Sequence, residues 1–263
     1  MKVLFIGDVV GKPGRRAIDV LLKRMVKDEK IDFVIANAEN AAGGIGITPT
    51  IALEMLKMGV HVLTSGNHIW AKKDVIPFLD EEPRLLRPAN YPSQVPGRGI
   101  GTYELKNGGK ITVLNLEGRV FMRTLECPFR VGEKIIEEVS HKTPVIIIDF
   151  HAEATSEKVA LGRFLDGKVS AILGTHTHIQ TADEKILERG TAYITDVGMT
   201  GPVASVIGVP EEVALERFLT QMPVKFDVAT GEVELQCVVI DINPKTGKSN
   251  DIRRLRVPLK EQG

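Results

Sequence analysis

The stretch VLFIGDVVGKPGRR, residues 3–16, gives the pattern from which the rest of the chain can be interpreted. An apolar run ends at Asp8, and a glycine–lysine–proline turn then leads into a segment with helical spacing. The turn resembles a phosphate-binding P-loop, but three residues instead of four separate its glycines, and Pro13 stands after Lys12 where a Ser or Thr is needed. We therefore predict that Asp8, and not Lys12, is the functional residue of this stretch.

Short apolar runs rich in β-branched residues recur along the chain and predict an α/β fold. They are KVLFIGD, DFVIANAE, VHVLTSGN, KITVLNLE, PVIIIDFHAE, SAILGTHTH, TAYITDVG and LQCVVIDI. Continuous rather than alternating apolar character is typical of strands that helices cover on both faces. Helical spacing lies between several of the runs, over residues 15–27 and 49–58, with Pro13 and Pro49 near the helix starts. This order indicates βαβ units.

One domain covering the 263 residues is expected, with a proline-rich surface insertion around residues 82–101. The prolines and the weak periodicity of this segment predict a long loop. A linker between two domains is the alternative, but strand-like runs of the same character lie on both sides of the loop. Long loops within compact domains are often functional, so the insertion is expected to fold over a site.

The composition favours a protein that acts on a small molecule. Lys plus Arg equals Asp plus Glu, at 34 residues each, so no overall basic field attracts long nucleic acids or acidic membranes. Cys127 and Cys237 are the only cysteines, and their separation is not that of a disulfide framework or a thiolate metal site. The first apolar run is too short for a signal peptide or a membrane span. A cytoplasmic location is expected.

Polar side chains follow five of the predicted strands at the point where each strand ends. They are Asp8, Glu39 with Asn40, Asn67 with His68, His151, and His176 with His178. The carboxyl ends of parallel strands face one crevice, where ligands bind. Each residue alone is more commonly a turn, cap or structural residue, but their shared position favours a common site. The two remaining histidines precede apolar runs, and we expect them to be structural.

The mixture of side chains predicts a metal centre. Imidazole and carboxylate together suit iron, manganese or zinc, whereas calcium and magnesium favour shells made only of oxygen. In GTHTH, His176 and His178 lie two residues apart, so both rings can reach adjacent ions from one turn, and Gly174 lets the backbone come close. Two ions about 3.5–4 Å apart need a bridging ligand. Glu39 is the natural candidate for this bridge.

The motif series GD, NAEN, GNH, an isolated His151 and GTHTH resembles, in this order, that of the calcineurin-like metallophosphoesterases. More closely, seven strings resemble the YmdB-type branch, whose members are cyclic-nucleotide phosphodiesterases: FIGDVVGKPGR, NAENAAGG, GNHIW, RPANYP, DFHAEATSEK, GTHTHIQTAD and TDVGMTGP. The resemblance covers almost the whole chain. It implies a four-layer α-β-β-α sandwich with mixed, largely parallel sheets.

The resemblance also implies a role for each site residue. The first metal ion would be held by Asp8, Asn40 and His178, the second by Asn67, His151 and His176, and Glu39 would bridge the two. His68 matches the residue that protonates the leaving oxygen. The wider superfamily has a histidine where this chain has Val10 and an aspartate where it has Glu39. Both departures fit the YmdB-type branch, and they leave the metal open between iron and manganese.

The expected activity is hydrolysis of small cyclic nucleotides, with 2′,3′-cyclic nucleotides as first choice. The nucleophile would be a water or hydroxide that the ions hold and whose pKa they lower. A general phosphatase, an RNA-acting nuclease, and a metal-containing sensor that acts through a partner are the alternatives. His68 favours turnover, because a sensor needs no proton donor. The family implied by the resemblance tends to self-associate, so a homo-oligomer is expected.

Other residues give weaker indications. Arg119 and Lys158 are candidates for contact with a phosphate, although surface solvation is the favoured interpretation. Trp70 and Phe121 are candidates for stacking on a base, with packing favoured for Trp70. The string TSEK predicts a helix start with Thr155 as cap. The string RRLR, residues 253–256, predicts an edge strand with solvated charges.

Overall fold

The computed structural model describes residues 1–105 and 108–260. Within these residues the helices are α1 (Gly11–Glu29), α2 (Pro49–Lys57), α3 (Val75–Glu81), α4 (Pro128–Val139), α5 (Thr155–Phe164) and α6 (Glu211–Thr220). The strands are β1 (Lys2–Ile6), β2 (Asp8–Val9), β3 (Phe33–Asn37), β4 (Val62–Thr64), β5 (Ile100–Glu104), β6 (Lys110–Glu117), β7 (Ile146–His151), β8 (Ala171–Thr175), β9 (Lys185–Ile186), β10 (Ala192–Ile194), β11 (Met199–Pro202), β12 (Val233–Ile242) and β13 (Ser249–Pro258).

The strands form two mixed sheets. In the first sheet the hydrogen-bonded neighbours follow the order β2-β11-β12-β1-β3-β4, and β13 pairs with β12. In the second sheet the order is β5-β6-β7-β8-β10-β9. Parallel pairing joins β1, β3 and β4 in the first sheet and β6, β7, β8 and β10 in the second. Antiparallel pairs at β12 and at both edges of the second sheet make the sheets mixed.

Three apolar layers hold the sheets and helices together. Helices α1 and α2 pack on the outer face of the first sheet, where Ile18 and Met55 are buried. A second layer, which includes Phe5 and Leu173, fills the space between the two sheets. Helices α4 and α5 pack on the outer face of the second sheet, around Phe150. The fold is therefore the predicted four-layer α-β-β-α sandwich.

Strand β7 contributes side chains to two of these layers, because successive side chains of a strand point to opposite faces. Ile148 and Phe150 face the layer under α4 and α5, whereas Ile147 faces the other sheet. Asp149 and His151 follow Ile147 at spacings of two and so point in the same direction. Both are fully buried. The layer between the sheets thus changes from apolar to polar towards the carboxyl ends of the strands.

The same change occurs in three neighbouring strands. In each, a buried polar residue follows an apolar residue of the inter-sheet layer two positions later: Ile35 and Asn37 in β3, Val113 and Asn115 in β6, and Leu173 and Thr175 in β8. Buried polar groups need hydrogen-bond partners. The polar end of the layer therefore forms a connected network, and the candidate site lies on it.

The structure confirms most of the predicted elements. The eight apolar runs are strands β1, β3, β4, β6, β7, β8, β10 and β12, and the two helical patterns are α1 and α2. Helix α5 begins at Thr155, but Ala154 is its cap residue and makes no side-chain cap bond, so the predicted Thr155 cap is wrong. Among the described helices none is long and apolar enough to cross a membrane.

The RRLR string lies in β13, which pairs with β12 alone among the described strands, as expected of an edge strand. Its three arginines are exposed and each contacts a carboxylate: Arg253 with Glu29, Arg254 with Glu184, and Arg256 with Glu234. Exposed ion pairs of this kind contribute little to stability. Their abundance keeps the exposed edge charged, which discourages pairing with another chain.

The segment 82–101 differs from the predicted surface loop. It forms no helix, as its prolines indicate, but residues 85–91 are largely buried. The Asn90 amide donates to the carbonyl oxygen of Glu117 at 2.8 Å. The Arg87 guanidinium donates to the carbonyl oxygens of Pro88 and Pro96 at 2.8 and 3.0 Å. Side-chain donors thus satisfy buried carbonyl groups of a chain that prolines keep out of regular structure.

Removal of a large side chain from the inter-sheet layer should destabilise the fold. Phe5 is fully buried there. Phe5→Ala is expected to lower the free energy of unfolding by about 3–5 kcal/mol, because a cavity remains in addition to the lost apolar burial. Phe218→Ala, at a ring that is 71% exposed on α6, is the matched control and should change it by no more than about 0.5 kcal/mol. Urea unfolding measures both, and equal losses would contradict the layer assignment.

Candidate metal centre

The structure brings the eight predicted site residues together at the carboxyl ends of the strands. Asp8 begins β2, Glu39 and Asn40 follow β3, Asn67 and His68 follow β4, His151 ends β7, and His176 and His178 follow β8. Direct contacts link neighbouring members of this group. The two sheets contribute to it jointly, since β2, β3 and β4 belong to the first sheet and β7 and β8 to the second.

Glu39 lies at the middle of the group and is 1% exposed. Its Oε2 atom lies 3.2 Å from Nε2 of His151, and its Oε1 atom lies 3.2 Å from Nδ1 of His68. The Asn40 amide donates to Oε1 at 3.2 Å. Burial alone would raise the pKa of Glu39, but the adjacent His151 and His68 hold it well below its usual range. The carboxylate is therefore ionised and acts as an acceptor.

The two ring nitrogens of His151 have different neighbours. Nδ1 lies 2.9 Å from the hydroxyl oxygen of Thr175. That hydroxyl donates its single proton to Asp149 at 2.7 Å. In its contact with His151 the hydroxyl oxygen must therefore accept, and Nδ1 of His151 carries the proton. Nε2 is left to face the centre, 3.0 Å from Oδ1 of Asn67 and 3.2 Å from Oε2 of Glu39. The contact with Thr175 thus sets the orientation of the His151 ring.

The charge at His151 indicates that the centre favours a cation. Burial alone would lower the pKa of this imidazole, but Glu39, Asp8 and Asp149 raise it to about 9. Nδ1 of His176 lies 3.0 Å from Nε2 of His151, and burial together with the charge on His151 lowers the pKa of His176 to about 3. Of the two converging nitrogens, Nε2 of His151 therefore carries the proton and Nδ1 of His176 does not. A metal ion that binds there would displace it.

The second nitrogens of the other two histidines also meet acceptors. Nε2 of His176 lies 3.1 Å from a carboxylate oxygen of Glu153, which leaves Nδ1 facing the centre. Nδ1 of His178 donates to the carbonyl oxygen of Ile207 at 2.9 Å, which leaves Nε2 facing Asn40 at 3.1 Å. Hydrogen bonds of this kind fix the tautomer and orientation of histidines that bind metals. Three imidazole nitrogens are thus directed inwards.

Asp8 provides an independent sign of a missing partner. It is fully buried, and its Oδ2 atom accepts from the backbone N–H of His176 at 3.1 Å. Within residues 1–105 and 108–260, its Oδ1 atom has no hydrogen-bond partner. Burial raises the pKa of Asp8, although His178 and His151 oppose the shift. A buried carboxylate oxygen without a partner is costly, and a bound cation would satisfy it.

The donor set fits a transition-metal centre. One nitrogen or oxygen from each of Glu39, His151 and His176 lies within 4.8 Å of the others, so these three residues form a possible metal-binding group. Imidazole nitrogens combined with carboxylate and amide oxygens suit iron, manganese or zinc better than calcium or magnesium. Asp8 and His178 lie beside this group, with Oδ1 and Nε2 separated by 3.9 Å. A second ion would therefore also find ligands.

The turn that carries two of the histidines is strained. His176 has φ 102° and His178 has φ 67°, conformations that cost about 1–3 kcal/mol each in residues other than glycine. Oδ2 of Asp196 accepts from the backbone N–H of Thr177 at 3.1 Å and from Nζ of Lys158 at 2.8 Å. These contacts hold the turn between the two histidines. Strain of this kind persists only where the surrounding structure enforces it.

Close packing beneath the same turn depends on a glycine and a buried ion pair. A Cβ atom on Gly174 would lie 1.7 Å from the carbonyl oxygen of Thr195, so no other residue fits. Lys158 and Asp196 are at most 1% exposed, and Lys158 also donates to the carbonyl oxygen of Thr175 at 2.8 Å. Lys158 is therefore neither the solvated surface residue favoured by the sequence nor a contact for phosphate. Its contacts support the turn that carries His176 and His178.

A cavity of about 530 Å³ opens over the centre. Glu39, Asn40, His68, His176 and His178 line one side of it. His68 is one-third exposed, and its Nδ1 atom lies 2.8 Å from Oδ1 of Asn40, so its Nε2 atom is the nitrogen left for a ligand. Residues 43–45, 207–209 and 226–228 complete most of the remaining lining.

Several sequence predictions do not fit this cavity. The segment 82–101 contributes no lining residue, so the expectation that it folds over the site is wrong, because the segment is packed against strands instead. Arg119 and Phe121 are exposed outside the cavity, with Phe121 89% exposed. Trp70 packs edge-on against Tyr91, with ring centroids 5.5 Å apart, and is a packing residue as favoured.

Comparison with known proteins identifies the family. A sequence model described as YmdB-like protein matches residues 4–255. The chain belongs to the YmdB-like protein family. It is 49% identical over 257 residues to the 2′,3′-cyclic-nucleotide 2′-phosphodiesterase of Bacillus subtilis strain 168, covering 98% of this chain and 97% of the relative. It is 35% identical over 271 residues to a putative phosphatase/phosphodiesterase of Mycoplasma genitalium, covering 100% of this chain and 95% of the relative.

Solved structures agree with this membership. A hypothetical protein from Thermus thermophilus superposes with a TM-score of 0.92 at 40% identity, and covers 98% of this chain and 99% of its own. A structure described as a novel phosphatase from Mycoplasma pneumoniae also gives a TM-score of 0.92, at 34% identity, with 98% and 93% coverage. The whole described fold, and not one motif, is therefore shared with these two proteins.

Sequence reasoning missed the residues that support the centre of this YmdB-like protein. Asp149 and Thr175 orient His151, Glu153 orients His176, and Asp196 holds the turn. A signal for Asp149 was present, because it interrupts an apolar run two positions before His151 and so lies on the same strand face. Asp196 also carried a signal, because it follows the apolar run of β10 near the carboxyl end of a strand, as the site residues do.

Loss of the buried ion pair should weaken both the fold and the centre. Lys158→Met leaves Asp196 buried without its cation, and we expect about 3–5 kcal/mol less free energy of unfolding. Metal affinity should fall roughly 10–100-fold, because the turn that carries two histidines loses its support. The control Lys168→Met removes an exposed pair with Glu133 and should cost no more than about 1 kcal/mol.

Urea unfolding and metal analysis of the purified proteins measure these effects. If Lys158→Met and Lys168→Met lost the same stability and retained the same metal content, the supporting role of the buried pair would be contradicted.

Proposed function

We propose that the chain is a dinuclear metal-dependent phosphodiesterase that hydrolyses small cyclic nucleotides, with 2′,3′-cyclic nucleotides as preferred substrates. The convergence of three oriented imidazole nitrogens on the buried carboxylates of Asp8 and Glu39 carries this proposal. The name and the 49% identity of the Bacillus subtilis relative support the choice of substrate. A phosphoester hydrolase is also consistent with the names of the Mycoplasma relatives.

We assign the ligands by the contacts among these residues. Asp8 and Asn40 lie 3.9 and 3.1 Å from Nε2 of His178, and these three would hold the first ion. Asn67 and His176 each lie 3.0 Å from Nε2 of His151, and these three would hold the second ion, with Glu39 as the bridge. We favour iron or manganese, with zinc possible, because the set mixes imidazole with oxygen ligands.

Two ions at this position would supply an activated water and neutralise the phosphate oxygens. The protein's own contribution is to hold the ligands and to move a proton. The Nδ1 atom of His68 is kept near the acceptors Asn40 Oδ1 and Glu39 Oε1, at 2.8 and 3.2 Å. Its Nε2 atom would then give a proton to the departing alkoxide of the ribose, which is general acid catalysis.

The charges of the cavity support a small substrate over long RNA. None of its lining residues in the described chain is Lys or Arg, and three of them, Glu39, Glu153 and Asp227, are acidic. A site for an oligonucleotide needs cations along the path of neighbouring phosphates. The RNA-acting nuclease is therefore the weaker alternative. A general phosphatase is compatible with the centre, and a sensor would not require His68.

Both sheets contribute ligands and share one apolar layer, and the family match runs through both. We therefore propose that the chain works as a single domain.

Replacement of the proposed bridging carboxylate should remove both metal and activity. Glu39→Gln is expected to lower metal content from near two ions per chain and to reduce hydrolysis of 2′,3′-cAMP at least 100-fold, because the two ions lose their shared anionic ligand. Glu54→Gln, at an exposed side chain of α2, is the matched control. Anaerobic purification, elemental analysis and a product assay measure the two effects. Retention of metal and turnover by Glu39→Gln would contradict the proposed centre.

The role of His68 can be separated from metal binding by the choice of leaving group. His68→Gln should keep its metal but reduce turnover of 2′,3′-cAMP roughly 100- to 10,000-fold. The loss should be much smaller with bis-p-nitrophenyl phosphate, because p-nitrophenolate leaves without a proton. His141→Gln, at an exposed histidine, is the control. Equal losses on both substrates would contradict proton donation by His68.

A further inference from the structure

Several side chains that line the cavity have no role in the proposed metal centre. This part of the lining is predominantly apolar, from Ile45 in the loop after β3, Ile207 and Val209 in the turn before α6, and Phe226 and Val228 after α6. Ile45, Ile207 and Phe226 are 44–48% exposed. Partly exposed apolar side chains clustered beside a polar centre are typical of a ligand site.

The loop after β3 presents backbone, and not side chains, to part of this wall. Gly43 has φ 69° and Gly44 has φ 89°, conformations that glycine adopts readily. A Cβ atom on Gly43 would meet no atom within 4 Å, and one on Gly44 would lie 3.0 Å from Val228. Gly44 therefore lets the loop pack closely on Val228, and Gly43 borders open space.

Phe226 is held in place by Arg217, whose guanidinium carbon lies 4.9 Å from the centroid of the ring. A cation over an aromatic face fixes the ring and occupies that face. The opposite face is therefore the one available to a ligand. The neighbouring Asp227 is largely exposed and lies 3.4 Å from Nζ of Lys225, so its charge is already partnered.

We propose that this apolar wall is the nucleobase subsite, in which the base of a cyclic nucleotide stacks on Phe226 and packs between Ile45 and Ile207. The inference rests on the proposed phosphodiesterase function and extends it to residues outside the metal centre. The cavity volume of about 530 Å³ lies within the usual range of small-molecule sites. A cyclic phosphate at the centre would leave the ribose to direct the base towards this wall.

Recognition by this wall would tolerate different bases. The side chains of Ile45, Ile207, Val209, Phe226 and Val228 carry no hydrogen-bonding group, and every base has a flat face that can stack. Apolar contact alone discriminates weakly between related ligands. The 2′,3′-cyclic phosphates of adenosine, guanosine, cytidine and uridine should therefore have kcat/KM values within roughly 100-fold of one another.

The test compares a substrate with and without a base. The metal-loaded enzyme is assayed with 2′,3′-cAMP and with the 2′,3′-cyclic phosphate of methyl riboside, which lacks a base. Wild type should favour 2′,3′-cAMP in kcat/KM by roughly 5- to 150-fold, the value of one base stacked on an aromatic ring. Phe226→Ala should lose most of this preference through KM, with kcat changed less than about twofold. Phe218→Ala, the exposed control on α6, should keep the preference.

A binding measurement provides a readout that does not depend on turnover. Saturation-transfer NMR with adenosine 3′-phosphate should give the strongest transfer to the base protons in wild type and in Phe218→Ala, and a clear reduction in Phe226→Ala.

The outcomes distinguish the two proposals. If neither cyclic phosphate is hydrolysed by the metal-loaded enzyme, the proposed function fails and the subsite with it. If both are hydrolysed equally by wild type, or if Phe226→Ala reduces both equally, the function stands and the subsite is contradicted. Unchanged saturation transfer in Phe226→Ala would also contradict the subsite.

Discussion

The buried carboxylate of Asp149 joins the two sheets directly beneath the centre. It accepts hydrogen bonds from Asn37 and Thr64 of the first sheet and from Thr175 of its own sheet. Burial raises the pKa of Asp149 to about 7, while its interactions with His151, Thr64 and Thr175 oppose the rise. Because Thr175 gives its proton to Asp149, its oxygen must accept from His151. One carboxylate therefore helps both to hold the sheets together and to set the orientation of a histidine.

This arrangement explains why polar residues are tolerated in the layer between the sheets. Their cost is offset only where every donor and acceptor has a partner, and the contacts around Asp149 approach that condition. Asp8 does not meet this condition, since its Oδ1 atom has no hydrogen-bond partner among the described residues. His176 and His178 add backbone strain at the same place. An unpaired carboxylate oxygen and backbone strain thus coincide at the place where a cation would bind.

Local patterns in the sequence were sufficient to predict eight of the described strands and the residues that gather at their carboxyl ends, whereas the four layers followed from the resemblance to a known family. Apolar runs define strands, and the polar residue that ends each strand must lie at the shared edge. Residues whose position depends on contacts distant in sequence were not predictable. The sequence favoured a solvated Lys158, but this side chain is buried and donates to Asp196, 38 positions away in the chain. Phe226 gave no signal, because it lies outside regular structure and reaches the cavity only through the packing of its segment.

In the proline-rich segment 82–101, the sequence predicted the lack of a helix but not the burial. Prolines correctly indicated the absence of a helix, but they carry no information on burial. Buried side-chain donors, such as Arg87 and Asn90, together with isolated backbone bridges, let this loop lie inside the protein.

The central claim is that outer hydrogen bonds direct one nitrogen of each histidine towards a pair of metal ions. Anomalous diffraction from crystals of the metal-loaded protein at the absorption edge of the bound metal tests it most directly. The expected result is two peaks on either side of Glu39, with Nε2 of His151, Nδ1 of His176 and Nε2 of His178 as the nitrogen ligands. A single peak away from Glu39, or coordination by the opposite nitrogens of these rings, would contradict the account.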